Sequence, residues 1–286
     1  MLKDFVNLGE RLVHDIHKDA LPPLGYRIYS GPIKWVIHLA PNGRPVSSPE
    51  SVRIRNKPRP TMIRSGEHAP GNITPFLLVD DARYALGISA PGKEDEAKLM
   101  HNSFVNLTEE AYEATKASFL RPILVYLHQY IDRENLAEII KPNDVVTFGV
   151  SELPYPFERR ELRAFWLERI GRACSSDVYG QCSVCGKVSR LLRKLPVSVT
   201  ILGQKCQIVS FNWGAAESFG RKQTVNAQIC AACGMLSANS LNYLLENRRH
   251  CAIIARDSSK GTTKNTLDDQ VAVFWLEEEP DDLNLN

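Results

Sequence analysis

The sequence predicts an α+β fold in two parts, and three features of the chain lead to that prediction. Short apolar stretches with strand periodicity lie within residues 26–80, and helical periodicity dominates residues 94–140. Two Cys-x-x-Cys-Gly motifs lie in the last third of the chain. We therefore expect a mixed domain of antiparallel strands and helices over residues 1–170. A second α+β domain over residues 171–286 would contain a four-cysteine site like that of a zinc ribbon.

In the amino-terminal segment the spacing of apolar residues changes from that of a helix to that of strands. Apolar side chains recur at helical spacing through residues 2–18, which predicts an amphipathic helix. Residues 26–29 and 33–39 then predict two strands joined by a glycine-containing turn. In Val52-Arg53-Ile54-Arg55 the alternation puts both arginines on one face of a further strand.

Residues 56–75 contain prolines and glycines too densely for regular structure and predict a long loop. A strand over residues 76–80 follows, and Asp80-Asp81 is suited to start a short helical turn by capping it. Thr108 is a candidate cap for a helix further along. Helical periodicity predicts three helices in this part of the chain, over residues 94–106, 109–130 and 133–140.

The composition changes at Gly171, where we place the domain boundary. Before it, residues 145–150 predict a strand and residues 158–170 predict a basic amphipathic helix that buries Leu162, Phe165, Trp166 and Ile170. After it, strands are predicted over residues 206–212 and 272–276, with a helix over residues 237–248 between them.

The two cysteine motifs, Cys182-x-x-Cys185-Gly and Cys230-x-x-Cys233-Gly, predict a metal site. This spacing lets a tight turn direct two thiolates at one tetrahedral ion, and the glycine lets the backbone curl beneath it. Four thiolates would fill the coordination sphere of Zn²⁺, so we expect a structural zinc ion rather than a catalytic one. An inserted hairpin would account for the long interval between the motifs. The remaining cysteines, Cys174, Cys206 and Cys251, are expected to be buried as small apolar residues.

Charge is unevenly distributed although the formal net charge is only +2. Basic residues dominate the segment from Arg27 to Arg64, whereas the carboxyl-terminal stretch is acidic, and such asymmetry predicts basic faces that meet phosphate. No catalytic motif is present, and adjacent Asp80 and Asp81 would point to opposite faces of a strand, so we expect a non-catalytic protein. With neither a signal peptide nor a run of about 18 apolar residues, a cytoplasmic location is expected.

A series of short segments, in order along the chain, resembles the large subunit of the type I-C CRISPR surveillance complex, Cascade. The segments are Pro32 to Leu39, Ile73 to Asp80 with Tyr84 to Gly87, Asp144 to Phe148, Leu162 to Trp166, Gly180 to Cys182, Val209 to Asn212, Glu217 to Gly220, Asn226-Ala227, Leu241 to Leu245 and Val273 to Trp275. Members of that family continue into a helical carboxyl-terminal region and many lack the complete cysteine quartet, so this chain is expected to be a shortened form with a branch-specific zinc site.

The resemblance implies a subunit that recognises the protospacer-adjacent motif in double-stranded DNA and helps the duplex open for guide RNA pairing, without cutting. It implies as partners guide RNA (crRNA) and target duplex, the backbone and guide 5′-end-binding subunits, a small subunit and a recruited helicase-nuclease, with no membrane. On charge and groove chemistry we expect the DNA contacts to be Lys34, Arg53, Arg55, Lys57, Arg59, Arg64 and Asn72.

Two other classes of function stay open from the sequence. One is an assembly scaffold that binds guide RNA and partner subunits without reading DNA, and the other is a zinc-containing nuclease. Exposed aromatic side chains could stack on bases, but the aromatic residues at strand spacing are more often core, and none is assigned to a site; these are Tyr26, Tyr29, Trp35, Phe211 and Trp213.

Overall fold

The computed structural model describes the fold over residues 1–14, 21–28, 31–55, 58–60, 73–153, 155–211, 213–255 and 270–276. The described residues form helices and small, mostly antiparallel sheets, which confirms the α+β class. The chain divides into two compact units. The central unit comprises Pro22–Ile170, and the cysteine unit comprises Met1–Leu21 together with Gly171–Asn286.

Helices and strands are mixed along the described part of the chain. The helices are α1 (Leu2–His14), α2 (Ala82–Ala85), α3 (Glu94–Thr115), α4 (Leu120–Gln129), α5 (Arg133–Ile139), α6 (Arg160–Cys174) and α7 (Ala231–Glu246). The strands are β1 (Tyr26–Ile28), β2 (Ile33–Leu39), β3 (Glu50–Ile54), β4 (Pro58–Pro60), β5 (Val79–Asp81), β6 (Val145–Val150), β7 (Ser175–Gln181), β8 (Val188–Leu192), β9 (Val199–Ile201), β10 (Gln204–Cys206), β11 (Cys251–Ala255) and β12 (Gln270–Val273).

Within the described residues, the central unit is organised around a four-stranded sheet of order β3-β2-β6-β5. Strand β2 pairs in parallel with β6, from Trp35 opposite Val146 to Leu39 opposite Val150, and the other pairs are antiparallel. The β6 ring of Phe148 meets Phe104 of α3 at 6.2 Å and Tyr126 of α4 at 6.0 Å. Strand β3 is consequently an edge strand of this sheet, with α3 and α4 packed over the centre.

Helix α6 confirms the predicted basic amphipathic helix. Its apolar positions Leu162, Trp166 and Ile170 are buried, and Phe165 is half-buried. The Trp166 indole N–H donates to the Gly25 carbonyl at 2.8 Å, so the polar atom of this buried ring has a partner. The helix begins two residues later than predicted and continues to Cys174.

Helix α1 belongs to the cysteine unit, whereas the sequence analysis placed residues 1–170 in one domain. The physical reason is the apolar face of α1, because Phe5 and Leu8 form one buried cluster with Leu244 of α7. The Phe5 ring also lies 5.3 Å from that of Trp275. The opposite end of the chain thus supplies the surface that buries α1, while the predicted boundary at Gly171 coincides with that between the two units.

Several local predictions differ from the structure. The strand over residues 76–80 is observed as β5, the helix over residues 109–130 is divided between α3 and α4, and the elements over residues 237–248 and 272–276 are observed as α7 and β12. Helix α3 runs unbroken through Thr108, whose hydroxyl donates to the Phe104 carbonyl at 2.9 Å instead of capping a new helix. Strand β4 lies inside the predicted loop and pairs with β1, so β1 and β2 do not form a hairpin. Strand β10 ends at Cys206, where a strand over residues 206–212 was expected to begin.

Candidate metal centre and basic strand

The first cysteine motif occupies the turn between β7 and β8. The Cys182 amide donates to the Lys187 carbonyl at 2.9 Å, and the Gly186 amide donates to the Cys182 carbonyl at 2.9 Å. Gly186 has a φ of +74°, a left-handed conformation that glycine adopts without steric cost. The hairpin and this glycine together turn Cys182 and Cys185 toward the same side.

The second motif forms the start of α7. Cys230 is the residue before the first helical turn, and the Gly234 amide donates to its carbonyl at 3.0 Å. Gly234 is required for a different reason from Gly186, because a Cβ there would come within 2.5 Å of Leu192 Cδ1. The absence of a side chain therefore lets α7 approach β8 closely enough for the two motifs to meet.

The four thiols converge on one point. The sulfur atoms of Cys182, Cys185, Cys230 and Cys233 all lie within 4.8 Å of one another, and Cys185 Sγ lies 3.9 Å from Cys230 Sγ. Four thiolates around a zinc ion, with Zn–S bonds of about 2.3 Å, would be separated by about 3.8 Å at the corners of a tetrahedron. The cysteines can therefore hold one metal ion with little rearrangement.

Backbone contacts support the site from both sides. The Cys230 amide donates to Cys182 Sγ at 3.4 Å, and the Ser183 amide donates to the Gln228 carbonyl at 2.8 Å. Amide hydrogen bonds to sulfur stabilise the thiolate form, which is the form that binds metal. Cys182, Cys230 and Cys233 are buried, and Cys185 is the exposed corner.

The proton affinities of the thiols differ because they are crowded together. A hydrogen bond from Cys233 lowers the pKa of Cys230 to about 5, and the same contact raises the pKa of Cys233. Burial raises the pKa of Cys185. Four thiolates this close repel one another, so a bound cation is what would allow all four to ionise together.

Between the two motifs the chain forms an inserted hairpin, as the long interval predicted. Strands β9 and β10 pair over Val199 to Cys206. The cysteines outside the quartet differ in environment: Cys174 is buried as expected, Cys251 is half-buried and Cys206 is exposed. The expectation that all three would be buried is therefore wrong for Cys206.

The residues predicted to contact DNA have different environments. Arg53 and Arg55 are exposed at the edge strand β3 and its end, with Val52 and Ile54 half-buried between them. Lys34 is partly exposed, but its ammonium contacts the Asp144 carboxylate at 2.8 Å. Three more of these residues, Lys57, Arg64 and Asn72, lie outside the described residues.

Arg59 differs from the exposed arginines because it is buried on β4, with 5% of its surface accessible. Its guanidinium donates to the Gly31 carbonyl at 3.3 Å. This contact joins the segment of β4 to the residues that precede β2, and the DNA contact expected for Arg59 stays a prediction. The alternation of the sequence could not reveal the burial of Arg59, because that burial depends on the pairing of β1 with β4.

Asp80 and Asp81 have structural roles. Asp80 accepts from the amides of Phe76 and Asp81, each at 2.8 Å. Asp81 caps α2 through the Arg83 amide and also pairs with the Arg83 guanidinium at 2.7 Å. The predicted capping role is confirmed for Asp81.

The exposure of two aromatic residues, Trp213 and Phe219, was not predicted from the sequence. Trp213 is 80% exposed although a core position was considered more frequent for such aromatics, and Phe219 is 97% exposed. A basic pair, Arg221-Lys222, follows Phe219 and Gly220 directly. The succession of an aromatic residue, a glycine and two basic residues is the sequence pattern that could have indicated this exposed segment.

Together these features define a class: an α+β protein with a cluster of four cysteines that could hold a metal ion and with two exposed arginines at one edge of its central sheet. Comparison with protein families then identifies the family, because the model of the CRISPR-associated protein (Cas_Csd1) matches residues 6–285. The chain belongs to the Cas_Csd1 family of CRISPR-associated proteins. Comparison with curated proteins gave no match. Among the described helices, none is both long and apolar enough to cross a membrane.

Proposed function

We propose that this chain is the non-catalytic large subunit of a type I-C-like Cascade, which recognises the protospacer-adjacent motif in double-stranded DNA and aids opening of the duplex. The observation that carries the proposal is the exposed pair Arg53 and Arg55 at the edge of the central sheet, in a chain of a CRISPR-associated family. Arg53 lies on β3 and Arg55 follows it directly, and guanidinium groups bind phosphate oxygens well.

The charge of Arg53 and Arg55 is available to a ligand. Among the described residues neither forms an ion pair with a carboxylate, in contrast to Lys34, which Asp144 neutralises. An edge strand also has backbone groups on one side without a strand partner, so a duplex could approach it closely. Phosphate contacts of this kind position a protein on DNA, and base contacts from neighbouring residues would supply the motif preference.

The non-catalytic part of the proposal has support from the carboxylates of the central unit. Asp80 and Asp81 hold backbone amides and Arg83, and so already have hydrogen-bonding duties within the fold. In this proposal the work of the subunit is binding. Guide RNA, other Cascade subunits and a recruited helicase-nuclease would be its partners.

The metal we propose for the cysteine site is zinc in a structural role. All four ligands are thiolates, which leaves no coordination position for water or substrate. Metal analysis of the purified chain should give one zinc per chain, and a Cys185→Ser/Cys233→Ser variant should lose it. A stoichiometric metal other than zinc would contradict the assignment.

The test of DNA recognition uses the assembled effector complex and a duplex library. The library carries a guide-matched segment flanked by randomised positions, and bound molecules are separated by electrophoresis and sequenced. The complex should enrich particular flanking sequences, and an Arg53→Glu/Arg55→Glu variant should lose this enrichment. Enrichment of no flanking sequence would favour an assembly scaffold.

A matched control separates site contacts from net charge. Lys98 on α3 and Arg121 on α4 are exposed basic residues of the same unit, so Lys98→Glu/Arg121→Glu changes the net charge equally. This control should retain the enrichment. Incubation of the complex with target and Mg²⁺ or Mn²⁺, without a helicase-nuclease, should leave the DNA intact. Cleavage in that arm would favour the nuclease.

A further inference from the structure

A solvent-filled cleft in the cysteine unit combines exposed aromatic rings with basic side chains. Its volume is 750 Å³, and its lining includes Arg193, Trp213, Phe219, Arg221 and Lys222, which we call the aromatic cleft. Trp213 and Phe219 are 80% and 97% exposed. Two large rings left in water at one concave surface are unfavourable for the isolated chain, and such a surface typically marks a binding site.

The exposed ring of Phe219 lies on a backbone with strained dihedral angles. Phe219 and Gly220 have φ values of +52° and +70°, and the Arg221 amide donates to the Ser218 carbonyl at 2.9 Å. Left-handed φ at both central residues is the type I′ pattern, in which asparagine and glycine are preferred. A bulky aromatic residue there is an outlier, and strain of this kind clusters at functional sites.

Asn226 holds this strained turn in place. Its side-chain oxygen accepts from the Ser218 amide at 3.3 Å, and its amide nitrogen donates to the carbonyls of Arg221 and Gln223 at 2.9 and 3.1 Å. A single side chain therefore ties both ends of the turn. The Phe219 ring is presented on a supported loop, which lowers the entropy lost when a ligand binds.

The charges of the aromatic cleft favour an anionic ligand. Arg193 and Lys222 are exposed, the Arg221 guanidinium lies against the Gln228 side-chain amide, and Glu217 is the acidic residue of the lining. Within the described part of the chain, none of these three cations forms an ion pair with a carboxylate. Aromatic rings and arginine are also frequent at interfaces between proteins, so a subunit interface is the alternative that the binding test has to separate.

We infer that the aromatic cleft binds single-stranded nucleic acid, with unpaired bases stacked on Trp213 and Phe219 and phosphates held by Arg193, Arg221 and Lys222. This combination of flat rings and cations is how proteins bind single strands without sequence preference. A duplex keeps its bases stacked on one another and offers them no face for Trp213 or Phe219. The site is distinct from Arg53 and Arg55 of the central unit, and the inference does not depend on recognition of duplex DNA.

The binding test measures the affinity of the full chain for labelled 12-nucleotide strands, dT and rU in separate arms, and for a blunt duplex of the same length. Single strands should bind more tightly than the duplex and should quench the fluorescence of Trp213. Trp213→Ala should weaken single-strand binding about ten-fold, whereas Trp213→Phe should largely preserve affinity and lose the quenching. The comparison of the two arms identifies DNA or RNA as the preferred strand.

Phe219→Asn gives the sharpest variant, because it removes the ring and creates the Asn-Gly pair that a type I′ turn favours. The thermal unfolding midpoint should rise while single-strand affinity falls about ten-fold. Leu202→Asn is the matched control, since Leu202 and Gly203 also have positive φ, +48° and +85°, in the β9–β10 turn. This control should leave single-strand affinity unchanged.

Arg221→Glu/Lys222→Glu should reduce the salt dependence of binding. Each lost phosphate contact lowers the slope of log K against log salt by about 0.7 for a single strand, so the pair should lower it by about 1.4. Affinity within two-fold of wild type in both Trp213→Ala and Phe219→Asn would overturn the inference. Equal loss of duplex binding and single-strand binding in these variants would also overturn it. Unchanged single-strand affinity together with failure to assemble into the complex would overturn it as well, and would identify the cleft as a subunit interface.

Discussion

Replacing Gly9 by alanine tests whether close packing on α7 is what makes α1 part of the cysteine unit. Gly9 lies inside α1, where alanine is intrinsically favoured over glycine by about 1 kcal/mol. A Cβ at Gly9, however, would come within 2.4 Å of Ser240 Oγ and 2.6 Å of Leu236 Cγ. The Ser240 hydroxyl cannot easily move away, because it donates to the Leu236 carbonyl at 2.8 Å.

The two effects oppose each other, and the clash should dominate. Overpacking of a tight contact costs about 1–3 kcal/mol, so Gly9→Ala should destabilise the chain by up to about 2 kcal/mol. Gly171 provides a matched control, since it is also a helical glycine of the cysteine unit but its added Cβ would meet Ala231 Cβ at 3.6 Å. Gly171→Ala should therefore stabilise by up to about 1 kcal/mol.

The assay is denaturant unfolding followed by circular dichroism, with zinc in constant excess. Hydrogen exchange of peptides from α1 and α7 provides a local measurement, and exchange there should become faster in Gly9→Ala. An increase of the unfolding midpoint in Gly9→Ala equal to that in Gly171→Ala would refute the close α1–α7 packing. The association of residues 1–21 with the cysteine unit would then lose its physical basis.

Three further predictions concern buried charge and metal. Burial opposes ionisation of Asp144, but hydrogen bonds from Lys34 and Trp35 outweigh it and lower the pKa of Asp144. The stability that the ionised carboxylate contributes is therefore lost as the pH falls below about 4. In Asp144→Asn the unfolding midpoint should depend less on pH in this range. Burial lowers the pKa of His101 despite its hydrogen bond to the Tyr84 carbonyl, so stability should be complete above about pH 6.5 and decrease below it. The difference between midpoints at about pH 5.5 and 7.5 should shrink in His101→Gln. A chelator should accelerate hydrogen exchange in α7 and leave β2 and β6 unchanged.

Each of these predictions has an outcome that contradicts it. An acid dependence of Asp144→Asn identical to wild type would mean that the Lys34 contact does not stabilise the fold. An unchanged pH difference in His101→Gln would assign the effect to another group. Exchange that chelation accelerates equally in both units, or in neither, would show that the metal does not stabilise the cysteine unit selectively.

Local sequence patterns predicted those strands and helices that pack one continuous face against the core. Strands β2 and β6 have the predicted bounds, since each is an apolar run in a buried sheet. Helix α6 was predicted from the spacing of Leu162, Trp166 and Ile170 for the same reason. The start of α7 was missed because its first turn is the cysteine motif, which has no amphipathic period.

The sequence alone predicted the candidate metal site, because two Cys-x-x-Cys-Gly motifs supply four thiols at a spacing typical of zinc sites. It also predicted a strand that presents Arg53 and Arg55 on one face, since side chains alternate on any strand, and both are exposed although β3 ends at Ile54. These conclusions depend on spacing and residue type, which are properties of neighbours along the chain. The DNA contacts expected of the basic segment stay predictions for all seven residues: Lys34, Arg53, Arg55, Lys57, Arg59, Arg64 and Asn72.

The tertiary structure decided which distant segments meet, and with them the environment of single residues. Pairing of β1 with β4 buries Arg59, and docking on α7 assigns α1 to the cysteine unit. Asn226 forms hydrogen bonds to both ends of the turn that contains the exposed Phe219. Hydrogen bonds and packing between remote segments leave no periodic pattern in the sequence, so only the folded chain reveals them.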